Sequence, residues 1–118
     1  MKPDVTVKEN YLFRRIYRKG KTAVRPGIVV YLLRGKHSHS RLGVTVSTKL
    51  GKAVVRNRVR RRFRELFRRN AHLFNGAYDV ILVGRGRSAD MPFAKLEKQY
   101  LSALVELGAI DAETGGTP

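Results

Sequence analysis

A chain of 118 residues, 42% of them hydrophobic, can close one compact core and is too short for two. Its 25 Lys and Arg against 9 Asp and Glu leave a formal charge of +16 and a pI near 11.1, a balance that repels itself unless a polyanion is at hand. The longest apolar run, Ile28 to Leu33, is far below the ~20 residues of a membrane span. The opening Met1-Lys2-Pro3-Asp4-Val5 lacks the apolar stretch of a secretory signal, and the absence of cysteine excludes disulfides and thiolate metal sites, so a cytoplasmic nucleic-acid binder with no membrane partner is expected.

Thr6 followed by Glu9 reads as a capping box opening a first helix, which carries Leu12, Phe13, Ile16 and Tyr17 and stops at Gly20. Leu12 and Ile16 fall on one stripe, with Phe13 and Tyr17 as an i, i+4 aromatic pair at its margin. Lys21 to Arg25 is a short strand ended by Pro26-Gly27, and Ile28 to Leu33 is a strand apolar on both faces. Gly35 to Ser40 makes a polar connection. In the next strand Leu42, Val44 and Val46 alternate with Gly43, Thr45 and Ser47, giving one greasy face and one small, polar face suited to close approach by something other than core side chains.

From about Ala53 to Phe74 the period turns helical, with Val55, Val59, Phe63, Leu66, Phe67, Leu73 and Phe74 on one side. Asn75-Gly76 ends this central helix, and Tyr78 to Val83 is another buried strand. Asp90 can cap a last helix that has Pro92 in its first turn and Phe93, Leu96, Tyr100, Leu104 and Leu107 as its buried stripe. Gly108 closes it. One domain over residues 1–110 and a disordered tail over 111–118 are expected, with no internal repeat. A strand that leaves through the central helix and returns as Tyr78 to Val83 runs parallel to its predecessor. The fold class is therefore α/β (α+β), a two-layer sandwich in the order α-β-β-β-α-β-α with a mixed four-stranded sheet.

The charge is concentrated. Up to Ser88 there are 23 basic and 4 acidic residues, and from Ala89 onward 2 basic and 5 acidic. Ten basic residues (Lys49, Lys52, Arg56, Arg58, Arg60, Arg61, Arg62, Arg64, Arg68, Arg69) face a single acid, Glu65, along the central helix and its approach. Asn57, Arg60, Arg61, Arg64 and Arg68 share one stripe opposite the apolar one. Like charges at i, i+3 and i, i+4 destabilise an isolated helix by ~0.2 to 0.5 kcal/mol per pair, and phosphates offset that repulsion, since a guanidinium can grip phosphate through two hydrogen bonds. A merely solvated face would leave nine of the ten without an acid on the helix. A zipper-type basic region needs heptads beyond Asn75-Gly76, and a helix-turn-helix needs helical flanks, so RNA is favoured over DNA. Phe13, Tyr17 and Tyr31 could line a shallow groove for stacking on unpaired bases, or be ordinary core residues; the interleaved Arg14, Arg15, Arg18 and Lys19 favour the groove.

The run Gly43-Val44-Thr45-Val46-Ser47-Thr48-Lys49-Leu50-Gly51-Lys52-Ala53-Val54-Val55-Arg56-Asn57-Arg58-Val59-Arg60-Arg61 resembles the signature of bacterial ribonuclease P proteins, named for its Arg-Asn-Arg core, and the likeness extends from Phe13 to about Leu104. The resemblance implies an accessory subunit of an endoribonuclease holoenzyme that removes the 5′ leader of precursor tRNA. In that family RNA catalyses the hydrolysis with Mg²⁺, and the protein binds the catalytic RNA and the precursor tRNA. Position by position it implies that Phe13, Tyr17, Tyr31 and Lys49 meet the leader, and that Arg56, Asn57, Arg58, Arg60, Arg61 and Arg64 face the catalytic RNA; Arg68 extends their row. Tyr17 stands where phenylalanine is frequent and Arg60 where lysine is, keeping ring and charge. The resemblance further implies a left-handed crossover through the central helix, against the usual hand of such connections.

A self-sufficient nuclease needs clustered carboxylates or an acid–base pair, and Asp4, Glu9, Glu65 and Asp79 are scattered. His37 and His39 lack a third ligand, and His72 reads as incidental. Gly84-Arg85-Gly86-Arg87 reads as a further basic contact more than as a phosphate cradle. No catalytic residue, protein-held metal or protein partner is expected. The alternative is a ribosomal or other structural RNA-binding protein with no role in cleavage.

Overall fold

Alternation between two apolar faces makes Ile28–Arg34 the pivot of the fold, which a computed structural model describes for residues 5–6, 10–35 and 38–112. The elements are β1 (Val5–Thr6), α1 (Asn10–Lys19), β2 (Lys21–Arg25), β3 (Ile28–Arg34), β4 (Arg41–Thr45), α2 (Ala53–Asn70), β5 (Tyr78–Gly84) and α3 (Phe93–Leu107). β3 pairs antiparallel with β2 across the Pro26-Gly27 turn and with β5 on its other side, and β4 joins β5 in parallel. The mixed four-stranded sheet is thus as expected. β1 adds a two-residue parallel strand outside β4, giving the order β1-β4-β5-β3-β2.

The register decides what each face carries. Val30 lies opposite Leu82, and Leu32 and Leu42 flank Val80 on either side. These residues form the core with Val59, Phe63, Leu66 and Phe67 of α2 and Leu96, Tyr100 and Leu104 of α3. Each fully buried side chain of this size contributes about 1.5 to 3 kcal/mol before chain entropy is counted. The two helices and the sheet make the expected sandwich. On the opposite face α1 buries Leu12 and Ile16 against Ile81, with Phe13, Tyr31, Leu33 and Val83 around them. One helix cannot cover five strands, so part of this face stays open to solvent.

Three boundaries differ from the sequence reading. Thr6 belongs to β1, in register with Leu42, so it does not cap α1, which begins at Asn10; Glu9 lies outside the described residues. Asp90 does not cap α3 either: the Met91 amide donates to the Arg87 carbonyl in a separate turn, and the helix starts after Pro92, with no side-chain cap. α2 ends at Asn70 and gives way to a 3-10 turn over Ala71–Leu73. Buried Asn70 donates through Nδ2 to the Leu66 carbonyl (2.9 Å) and to Glu97 of α3 (3.0 Å), turning the chain toward its neighbour. Of the expected tail, residues 113–118 lie outside the described residues, as does His37. No described helix is long and apolar enough to cross a membrane.

Candidate nucleic-acid interface

The approach to α2 is locked by local hydrogen bonds. Ser47 accepts the Lys49 amide at 3.1 Å and caps a 3-10 turn over Thr48–Leu50. Gly51 then takes φ 144°, a conformation side chains avoid, and a Cβ there would also lie 3.3 Å from that of Val55. Arg56 reaches back through Nε to the Gly51 carbonyl at 3.1 Å, fixing the turn to the helix it precedes.

Tertiary packing divides the arginines of α2 into two sets. Arg62 donates to the Ser88 carbonyl at 2.8 Å and lies over the Phe93 ring, and Arg69 pairs with Glu97 at 3.3 Å over the same ring. Both clamp α2 onto the α3 side of the domain. Arg58 projects on this flank, near enough that its charge, after the larger effect of burial, helps hold the Arg62 guanidinium below its ordinary pKa. The outer row is different. Asn57 accepts from Arg60 at 2.9 Å, and Arg61 and Arg64 are exposed. Among the described residues Arg58, Arg61 and Arg64 have no hydrogen-bond or ion-pair partner. Arg68, in the same row, is held by Glu65 at 2.6 Å, whose carboxyl its hydrogen bond keeps below the usual range.

Phe13, Tyr17 and Tyr31 come together on the open face of the sheet. Tyr17 meets Tyr31 edge-on with ring centroids 4.7 Å apart, and Phe13 lies 6.2 Å from Tyr17. Phe13 and Tyr31 are half-buried while Tyr17 is 38% exposed, so the cluster is both core margin and accessible surface. The Tyr17 and Thr45 hydroxyls lie 3.1 Å apart, which props the ring over the small, polar face of β4. Thr45 was not singled out as a site residue, although the alternation of β4 marked its face. Lys49 is exposed four residues beyond Thr45, and no hydrogen bond joins it to the rings.

Ser88 was also missed. Fully buried, it accepts the Arg85 amide at 2.7 Å and donates to the Gly27 carbonyl at 2.6 Å, so the exposed Arg85-Gly86-Arg87 turn stands on a rigid base beside Arg62. The donor set does not suit Mg²⁺, which takes free oxygen ligands. Glu65 is engaged by Arg68, and Asp79 is buried against Arg41 through two hydrogen bonds of 2.9 Å. No group of three or more His, Asp or Glu gathers among the described residues.

A mixed sheet with a guanidinium-lined helix on one side and an aromatic cluster on its open face defines a small basic α+β protein with two separate exposed surfaces, one cationic and one aromatic. The family model for ribonuclease P matches residues 1–108. The ribonuclease P protein component of Clostridioides difficile (strain 630) is 38% identical over 93 residues, 78% of this chain and 82% of that protein. That of Natranaerobius thermophilus is 36% identical over 97 residues, 82% and 84% of the two chains. Among solved structures, the Staphylococcus aureus RNase P protein superposes with a TM-score of 0.80 at 34% identity, covering 90% of this chain and 97% of that one. The Thermotoga maritima protein gives 0.71 at 29% identity, covering 84% and 91%. The chain belongs to the family of ribonuclease P protein components.

Proposed function

We propose that this chain binds the catalytic RNA of ribonuclease P through the outer row of α2 and the single-stranded 5′ leader of precursor tRNA across Phe13, Tyr17 and Tyr31, promoting 5′-end maturation of tRNA in the cytoplasm. The observation that carries this reading is the pair of exposed guanidiniums at Arg61 and Arg64 in that row, with exposed Arg58 on the adjoining flank, none of which has a partner among the described residues. Solvent alone does not relieve the repulsion among such neighbours, and phosphates do. Arg60 and Asn57 present a paired edge in the same row, Arg56 holds the helix start in place, and Arg68 adds charge once it exchanges Glu65 for phosphate. Lys49 offers a point charge beside the leader path. The aromatic cluster suits unpaired bases because stacking is indifferent to sequence.

The hydrolysis itself belongs to the RNA and its Mg²⁺. This chain's residues position RNA segments and supply no acid, base or metal ligand to the reaction. The test is binding of the ribonuclease P RNA across a salt titration. Arg61→Ala and Arg64→Ala should each lower the slope of log K against log salt by about 0.7 to 0.9, one phosphate contact. Both variants should melt with the parent. Unchanged slopes in both, or cleavage of precursor tRNA by rigorously RNA-free protein, would overturn the reading.

A further inference from the structure

A cavity of about 300 Å³ opens where β2 begins, β3 and α3 end, and β5 begins. Lys19, Lys21 and Arg34 surround it, Leu33 and Leu107 supply apolar wall, and none of the described residues that line it is acidic. α2 starts beyond the C-terminal end of β4, and β5, parallel to β4, begins at the other end. The cavity therefore sits at the end of the sheet opposite Arg56 to Arg58.

Its wall is built. The Arg34 guanidinium lies 5.1 Å from the centroid of the buried Tyr78 ring and donates to the Tyr78 hydroxyl at 3.4 Å. Tyr78 donates in turn to Asn75 Oδ1 at 2.5 Å. Asn75 donates through Nδ2 to the Gly108 carbonyl and through its amide to the Ala109 carbonyl, both at 2.9 Å. Two carbonyl oxygens just past the end of α3 are thereby occupied. Gly76 leaves the space the guanidinium fills, since a Cβ there would come within 2.8 Å of Arg34 Nη1. Arg34 is thus held in place while remaining exposed, and pre-organisation of this kind lowers the cost of binding.

We propose that this cavity is a second anion site, taking the phosphate of a nucleotide on Lys19, Lys21 and Arg34. Three cations around one opening favour phosphate, and a fixed guanidinium plane can both donate to it and carry a base. The volume lies at the lower limit of small-ligand pockets, which fits a single nucleotide. The nucleotide can be free or part of an RNA strand lying beyond the two surfaces assigned above.

Amide-resolved NMR titration of the full chain separates the sources. The probes are AMP and a short single-stranded oligoribonucleotide with either a 5′-phosphate or a 5′-hydroxyl. Saturable shifts are expected at the Gly35, Gly76 and Gly108 amides. Lys21→Gln and Arg34→Gln should each weaken binding at these positions about tenfold, the value of one charge-assisted contact. Lys95→Gln, at the far end of α3, should not. Binding of AMP identifies a free-nucleotide site, and binding of the oligonucleotides alone identifies RNA; both support the proposal. Absence of saturable shifts at the three glycines with every probe, or unchanged affinity in Lys21→Gln, overturns it. Lys21 is exposed on an edge strand, so that variant decides the matter even if Arg34→Gln unfolds.

Discussion

Tyr17→Ala separates stacking from packing more cleanly than any other change in the aromatic cluster. The ring is 38% exposed, so its removal opens no internal cavity. What the fold loses is the edge-on contact with Tyr31 and the tilted contact with Phe13, about 0.5 to 1.5 kcal/mol each, and the hydroxyl contact with Thr45, about 0.5 to 1.5 kcal/mol. A domain stable by roughly 5 to 15 kcal/mol survives the sum. Loss of one stacked base costs ~1 to 3 kcal/mol, which is roughly a 5- to 150-fold weakening. The assay is equilibrium binding by the reconstituted holoenzyme of precursor tRNA and, separately, of mature tRNA, each over a salt series. Tyr17→Ala should weaken precursor binding within that range, leave mature tRNA unchanged and leave the salt slope unchanged, because no counterion is released by a neutral ring. Tyr17→Phe keeps the ring and should lose less than about threefold. Equal weakening of precursor and mature tRNA by Tyr17→Ala, in a protein that melts normally, would refute the stacking role and leave the ring as packing alone.

Two further outcomes test the scaffold. Asp79→Ala removes two charge-assisted hydrogen bonds from the Arg41 guanidinium in a largely buried pair, and chemical denaturation should show a loss of about 3 kcal/mol. The Tyr100 hydroxyl is buried without a hydrogen-bond partner among the described residues, and desolvation pushes its pKa well above the ordinary value of 10.0. Because the folded-state pKa is the raised one, ionisation of this hydroxyl leaves the domain's stability untouched below pH ~10 and lowers it as pH rises beyond that. Tyr100→Phe should remove that alkaline loss and raise the melting temperature at neutral pH. A variant less stable than the parent at pH 7 would mean that the hydroxyl has a partner in solution.

The sequence by itself determined the three helices and four main strands to within their ends, the parallel return of β5 and the identity of the buried stripes. Those follow from periodicity: Ile28, Val30 and Leu32 must share a face, and Val59, Phe63 and Leu66 must face it. The crowding of arginine on one helix was equally visible, since it needs only the pitch of the helix. Only the tertiary structure decided which arginines are free to bind. A helical wheel cannot show that Arg62 and Arg69 are spent on Ser88, Phe93 and Glu97, because those partners arrive from α3 and the turn before it, more than twenty residues away. Nor can it show that Phe13, Tyr17 and Tyr31 converge, since α1 meets the Tyr31 side of β3 only when the helix docks on that face of the sheet. The caps misread at Thr6 and Asp90 have the same origin. A capping pattern reports a local preference of about 1 kcal/mol, and sheet pairing at Thr6 and the turn from Arg87 to Met91 override it. The cavity around Arg34 had no signal in the sequence at all: its three cations come from α1, β2 and β3 and meet only at the end of the folded sheet.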